Sequence, residues 1–326
     1  MRHLNFLVVA AVTSVTFVAT CGTGAAQSYP SRSITLIVPF PAGGGVDAVA
    51  RIVAEKLASG LRQQVVIDNR GGVAGVIGMR VAAKAAPDGY TLVMSHTGIT
   101  AINPTLYANP GYDPRRDFTP IGLIATTPIV LMTNTAFPAR TVTDIIAMAK
   151  REPGKLNIGT PPPGTGAFLS AELLKAAAGI DFTIVTYKGT GPLTNDLIGG
   201  HVPVAFNVLA PAMGNLQAGN LRAIATAGAT RLSLMPDVPT IAESGLPGFE
   251  AVLHYGLMAP AGTPADIVMR LNDELRKAVG LDDVRARIAA DGGDVLTSTP
   301  EQYAADIDRE ERKWGALVRK LGLRVE

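Results

Sequence analysis

The feature that most constrains the fold is a nearly continuous β-branched and apolar run, SITLIVPF, at residues 33–40. Such a run is typical of a strand buried on both faces of a parallel sheet. A helix is predicted directly after it, because apolar residues recur at helical spacing from Val46 to Leu57 and Gly60 follows them. The alternation continues with strand 64–68, helix 75–86 and strand 90–95. This pattern predicts an α/β fold with mainly parallel sheets.

The same alternation restarts after a Pro-rich stretch and an extended segment at 121–133. The predicted elements are helix 143–151, strand 156–159, helix 165–178, strand 182–187, helix 192–198, and strands 202–207 and 221–226. Residues 236–247 are turn-rich with one short helix, and 254–259 is extended. The predicted C-terminal helices are 264–279, 282–290 and 300–321, the last with a capping box from Thr299 to Gln302. We therefore predict two domains, 27–125 with 254–326 and 126–253, with a hinge of two crossings and a cleft between them.

The first residues have the layout of a secretory signal peptide. Arg2 and His3 precede an apolar run, and small residues follow at 24–26. We predict an exported, periplasmic protein whose leader, 1–26, is removed. Cys21, the one cysteine of the chain, would leave with the leader. The alternative is a lipid anchor on Cys21, although Val18-Ala19-Thr20 fits a lipoprotein signal poorly.

The charge pattern argues against nucleic acid as a partner. The formal net charge is +2, and lysine and arginine are scattered without a basic block.

A glycine-rich turn at 39–47, PFPAGGGVD, joins the first strand to its helix. In doubly wound sheets such turns lie at the carboxyl end of the strand, where ligands bind. Glycines allow a ligand to approach backbone N–H groups, and the helix N-terminus adds partial positive charge. An anion is the expected ligand. The alternative is a tight connection without a binding role, and Asp47 could simply complement the helix dipole.

Two similar turns are predicted in the second domain. The first, GTPPPGTG at 159–166, lacks the lysine and hydroxyl of a nucleotide-binding P-loop, whereas Thr160 and Thr165 offer neutral hydroxyls. The second, 187–192, contains Lys188, which could equally be a solvated surface lysine. His96 could line the cleft or bond locally, and Asn207 could contact a ligand or hold a turn.

Catalytic patterns are missing from the sequence. The histidines after the leader, His96, His201 and His254, lack metal-ligand spacing, and no Gly-x-Ser-x-Gly elbow occurs. Without such an elbow, Ser95 beside His96 is a weak nucleophile candidate. Adjacent residues of a strand point to opposite faces, which argues against Ser95 and His96 working together. We expect neither a cofactor nor a metal.

Six segments resemble the substrate-binding receptors of tripartite tricarboxylate transporters, the Bug family of periplasmic solute-binding proteins. They are YPSRSITLIVPFPAGGGVDAVAR at 29–51, APDGYTL at 86–92, YDPRRDFTPIGLI at 112–124, YKGTGP at 187–192, PDVPTIAESGLPGFE at 236–250 and YGLMAPAGTP at 255–264. The resemblance covers essentially the whole chain after the leader.

The resemblance implies a two-domain type II periplasmic binding protein fold, the Venus flytrap, with a small carboxylate between the domains. It implies that the carboxylate is held largely by backbone groups at the first glycine turn. Carried over, the grip comprises Phe40, Pro41, Ala42, Gly43, Gly44 and Asp47, flanked by Ser95, His96 and Thr97. The opposite side comprises Thr160, Gly164, Thr165, Gly166, Lys188, Gly189 and Asn207.

Departures from the family pattern bear on the ligand. Val46 stands where the family usually has threonine, and Asn207 stands where it often has an acid that can meet an amino group. The missing acid at position 207 disfavours amino acids, so the expected ligand is a dicarboxylate, tricarboxylate or aromatic acid. It further implies a monomer that delivers ligand to membrane permease subunits. The alternatives are a secreted hydrolase using Ser95 or Asp47, and a sensor subunit that presents ligand to a signalling partner.

Overall fold

A computed structural model describes residues 29–290 and 292–326. The predicted leader and Cys21 lie outside the described residues, so the signal-peptide and lipid-anchor hypotheses stay predictions. Among the described residues, no helix has the length and apolar character needed to cross a bilayer.

The elements follow the predicted order, with most bounds shifted by a few residues. The strands are β1 (Ile34–Val38), β2 (Val65–Asn69), β3 (Thr91–His96), β4 (Phe118–Asn134), β5 (Asn157–Thr160), β6 (Thr183–Thr186), β7 (Val204–Val208), β8 (Leu221–Thr226) and β9 (Val252–Pro260). The helices are α1 (Gly45–Leu61), α2 (Val76–Ala82), α3 (Asn103–Leu106), α4 (Val142–Arg151), α5 (Gly166–Ala178), α6 (Thr190–Ile198), α7 (Met213–Gln217), α8 (Ala265–Gly280), α9 (Asp282–Ala290) and α10 (Pro300–Lys320).

The helix predictions were wrong in three places. Residues 236–247 form turns without the short helix predicted there. A π-helical turn at 98–102 leads into α3, where a Pro-rich loop was expected. Pro104 is tolerated because it sits in the first turn, whose N–H groups have no helical partner. The short α7 was missed because five residues are too few to show periodicity. The predicted capping box of α10, between Thr299 and Gln302, is confirmed.

The strands form a mixed sheet in the order β2-β1-β3-β9-β4-β7-β5-β6, with β8 also paired to β4. Pairs β1–β2, β1–β3, β5–β6 and β5–β7 are parallel, as the strand–helix alternation predicts. Strand β9 runs antiparallel to β3 and β4, and β4 runs antiparallel to β7 and β8. Antiparallel neighbours, unlike parallel ones, need no helical crossover between them.

Strand β4 links two halves of the molecule. Its residues 118–128 pair with β9, and its residues 129–134 pair with β7 and β8. We call residues 29–128 with 252–326 the first half, and 129–251 the second half. The change of partners falls close to the predicted domain boundary at 125/126, and the exact domain bounds stay a prediction.

Candidate functional site

The first glycine turn ends at an uncapped helix N-terminus. Gly44 is the N-cap of α1 and has no side chain, so no N-cap side chain accepts a hydrogen bond from the first N–H groups of this 17-residue helix. Asp47 stabilises the turn through hydrogen bonds. Its carboxylate accepts from the Gly43 N–H at 2.9 Å, Asn69 Nδ2 at 3.0 Å and Arg51 Nε at 2.8 Å. Burial opposes ionisation of Asp47, but these donors hold its pKa below the usual value. Asp47 therefore positions the turn as a carboxylate.

The second half presents two turns, of which only one ends at an uncapped helix. Thr165 caps α5 by accepting the Phe168 N–H at 3.3 Å, and its hydroxyl donates to the Pro162 carbonyl at 2.8 Å. Gly189 is the N-cap of α6 and provides no side-chain cap. The N-terminus of α6 is therefore the counterpart of the N-terminus of α1.

One cleft collects residues from both halves and holds about 650 Å³ of unfilled space, including its open mouth. Of the predicted site residues, it is lined by Phe40, Pro41, Ala42, Gly44, His96, Thr165 and Gly189. Residues that the sequence reasoning did not assign to the site also line it: Gly45, Val46, Pro161, Pro162, Ala167, Thr190, Gly191, Pro192, Val208, Leu253 and Tyr255.

The two halves approach closely at the cleft. A Cβ atom on Gly44 would lie 3.1 Å from Thr190 Oγ1, and one on Gly189 would lie 3.8 Å from Pro41 Cγ. Beside the cleft, the Tyr107 hydroxyl donates to the Pro163 carbonyl at 2.9 Å. The two glycine turns therefore face each other across the space that they line.

His96 is the buried histidine of the cleft wall, and it is neutral. Its Nδ1 accepts the Gly98 N–H at 2.8 Å, which leaves the ring proton on Nε2. Burial lowers the pKa of His96 to about 3. The ring packs against Phe40 with 4.8 Å between centroids. His96 therefore offers a neutral N–H donor and no charge.

Several predicted site residues have partners within the protein instead of lining the cleft. Thr97 accepts the His254 N–H at 2.8 Å, and the Thr160 hydroxyl donates to the Pro161 carbonyl at 2.8 Å. Asn207 is fully buried and donates to Thr194 Oγ1 at 3.0 Å. Six further predicted site residues also lie outside the cleft lining: Gly43, Asp47, Ser95, Gly164, Gly166 and Lys188. The Lys188 side chain is exposed, and Gly164, at φ 94°, packs against Tyr107 and Ala74 of the first half.

Ser95 lies in the core of the first half. Its Oγ is 2.6 Å from the Tyr303 hydroxyl and donates to the Gly256 carbonyl at 2.9 Å. Neither Ser95 nor Asp47 lines the cleft, so the geometry gives no support to the hydrolase alternative.

We expect Ser95→Ala to lower the free energy of unfolding by about 1–3 kcal/mol, because the buried Tyr303 hydroxyl loses its partner. Ligand affinity should stay within about twofold, since Ser95 does not reach the cleft. Urea denaturation and ligand titration of the same samples measure both. Tyr303→Phe is the matched control. The double variant should lose less free energy of unfolding than the two single variants lose in sum. Lost binding at unchanged stability would place Ser95 in the site.

A second cluster, His254, Asp306 and Glu310, has three potential metal ligands within 4.8 Å of one another. Both carboxylates are already engaged, since Arg309 donates to Asp306 and Trp314 Nε1 donates to Glu310 at 3.0 Å. The cluster therefore forms a hydrogen-bonded network that joins β9 to α10.

Comparison with known proteins identifies the family. The family described as tripartite tricarboxylate transporter family receptor matches residues 49–323. Protein BugT of Bordetella pertussis is 36% identical over 314 residues, which are 95% of this chain and 96% of BugT. The periplasmic binding protein BugD superposes with a TM-score of 0.87 at 33% identity, covering 91% of this chain and 100% of BugD.

A further solved structure, R. palustris Rpa4515 with adipate, has a TM-score of 0.88 at 35% identity and covers 91% of this chain and 99% of its own. These matches confirm the predicted fold, a two-domain α/β periplasmic binding protein. The chain belongs to the receptor family of tripartite tricarboxylate transporters.

Proposed function

We propose that this protein is an exported receptor that captures a small carboxylate between its two halves and delivers it to the membrane permease of a tripartite tricarboxylate transporter. Family membership supports the receptor role, and the relative with adipate supports a carboxylate ligand. The proposal includes a periplasmic, monomeric protein without cofactor, whose ligand is a dicarboxylate, tricarboxylate or aromatic acid.

The observation that carries the proposal is the pair of uncapped helix N-termini at one cleft. Helix α1 of the first half begins after Gly44, and α6 of the second half begins after Gly189. Each end carries about half a positive charge and backbone N–H groups without side-chain caps. A carboxylate placed between them would draw both halves together, which couples binding to closure.

The proposed domains, 27–125 with 254–326 and 126–253, would rotate about the two strands that link them. Strands β4 and β9 run side by side where the sheet changes partners. Two domains commonly close around a ligand by bending at a few residues in the segments that link them.

Thermal unfolding in the presence of single carboxylates tests the proposal. At a concentration about 100 times its Kd, a ligand adds about 2.7 kcal/mol to the stability of the folded state. For a chain of this size that corresponds to a rise in Tm of about 5 °C. We expect such a rise with at least one of benzoate, hexanoate, malate, adipate and citrate. A folded sample whose Tm responds to none of them contradicts the proposal.

A further inference from the structure

A second contact between the halves lies beside the cleft, at the loop of residues 161–165. The Tyr107 hydroxyl of the first half donates to the Pro163 carbonyl of the second half at 2.9 Å. Gly164 packs against the same surface, since a Cβ atom there would overlap Asn103 Oδ1 and lie 3.1 Å from Tyr107 Cε2. Neither Tyr107 nor Pro163 nor Gly164 lines the cleft. We call this set of contacts the side contact.

The first half holds Tyr107 in place through its own hydrogen bonds. The Ala108 N–H donates to the Val325 carbonyl at 3.0 Å, and the Val325 N–H donates to the Leu106 carbonyl at 2.9 Å. These bonds would persist if the halves moved apart, and the Tyr107 hydroxyl would then bond to water. The bond to Pro163 therefore belongs to the closed arrangement and not to the stability of either half.

The loop 161–165 is stiff and joins the side contact to the cleft. Its three prolines have a fixed φ, and the Thr165 N–H and hydroxyl bond to the Pro162 carbonyl at 3.2 and 2.8 Å. Pro161, Pro162 and Thr165 line the cleft. The residues that line the cleft and those that form the side contact should therefore move together.

We propose that Tyr107 is a positioning residue, whose bond to Pro163 holds the loop 161–165 against the first half and so sets the affinity for every ligand alike. Affinity scales with the closed fraction of the unliganded protein when that fraction is small, and the side contact raises that fraction. Tyr107 does not choose among ligands, because it lies outside the cleft lining. This inference rests on the proposed function and adds a determinant of affinity outside the binding site.

Tyr107→Phe removes the hydroxyl and keeps the ring. Calorimetry with benzoate, hexanoate, malate, adipate and citrate should show each ligand that binds weakened by the same factor, about three- to tenfold, as one neutral hydrogen bond provides. The Tm of the unliganded variant should stay within about 2 °C of wild type.

Two results of this experiment overturn the proposal. The first is an unchanged Kd, with or without a lower Tm, because Tyr107 would then have no role in closure. The second is a loss of affinity that differs between ligands by more than about threefold, because Tyr107 would then act inside the site. A wild-type protein that binds none of the five ligands contradicts the receptor function instead, so the two failures are distinct.

Lys313→Gln is the matched control for a lost hydrogen bond between the halves. Lys313 Nζ of the first half donates to the Glu250 carboxylate of the second half at 3.1 Å. Both side chains are exposed, and Glu250 lies two residues before β9, which links the halves. An exposed ion pair at the linking strand should contribute little to closure, so Kd should stay within about twofold of wild type.

Gly164→Ala tests the side contact from the opposite half. Its Cβ atom would meet Asn103 only when the halves are closed, so we expect every ligand to bind at least about tenfold more weakly. Gly245→Ala is the matched control, because Gly245 has φ 101° against 94° at Gly164 and a Cβ atom there would meet nothing within 4 Å. Equal Kd values for these two variants would overturn the proposal, since backbone strain alone would then explain the effect.

Discussion

Gly44→Val should weaken carboxylate binding at least about 30-fold, or about 2 kcal/mol, while the protein stays folded. Gly44 has φ −88° and ψ 170°, an extended conformation that any residue adopts, so valine brings no backbone strain. A Cβ atom there would lie 3.1 Å from Thr190 Oγ1 of the opposite half and 3.6 Å from the Pro41 carbonyl oxygen. The two methyl groups of valine would hold the halves apart and cover the first amides of α1.

The matched control is Gly214→Val in α7, because a Cβ at Gly214 would meet no atom within 4 Å. Calorimetry should show wild-type affinity for this control. Thermal unfolding should show a modest loss of stability in Gly44→Val, on the order of 1 kcal/mol from the poorer N-cap. Wild-type affinity in Gly44→Val would place the ligand away from the N-terminus of α1.

The second large effect concerns acid stability. His96 has a pKa of about 3 in the folded protein because it is buried, whereas an unfolded histidine has a pKa of about 6.5. Between these values the unfolded chain binds one more proton than the folded protein, so the free energy of unfolding falls as pH falls from 6.5 to 3. The full difference is on the order of 4 kcal/mol.

His96→Asn removes this titration and keeps an acceptor for the Gly98 N–H. We expect the wild-type protein to lose about 4 kcal/mol more than His96→Asn between pH 6.5 and 3, measured by urea denaturation at each pH. Other acidic groups, including Asp47, titrate in both proteins and cancel in the comparison. If the free energy of unfolding changed with pH equally in the two proteins, His96 would take up a proton in the folded protein as readily as in the unfolded chain, which contradicts the prediction.

The sequence predicted those parts of the fold that depend on local sequence patterns. The run at 33–40, the helix that begins near Val46 and the capping box at Thr299 are all present because each depends on neighbouring residues. The antiparallel pairing of β4 with β9 was not predicted, because pairing between strands more than 100 residues apart leaves no local pattern. The short helices at 98–106 and α7 were missed because they are too brief for periodicity.

The candidate site was predictable in part for the same reason. Glycine turns mark the backbone positions at Gly44 and Gly189, and both lie at the cleft. The sequence did not show that Ser95 and Asn207 have partners inside the protein, because those partners are brought close only by the tertiary structure. Val208, Leu253 and Tyr255 of the cleft wall had no signal in the sequence, since buried residues of these types are common in strands.

A crystal structure of the protein with its tightest carboxylate tests the account most directly. We predict that the carboxylate oxygens accept hydrogen bonds, at about 2.7–3.2 Å, from amides in the first turn of α1 and in the first turn of α6. The carbon body should lie against Phe40 and Pro162. A carboxylate bound outside the cleft, or held by one half alone with the other helix end facing water, would contradict the account.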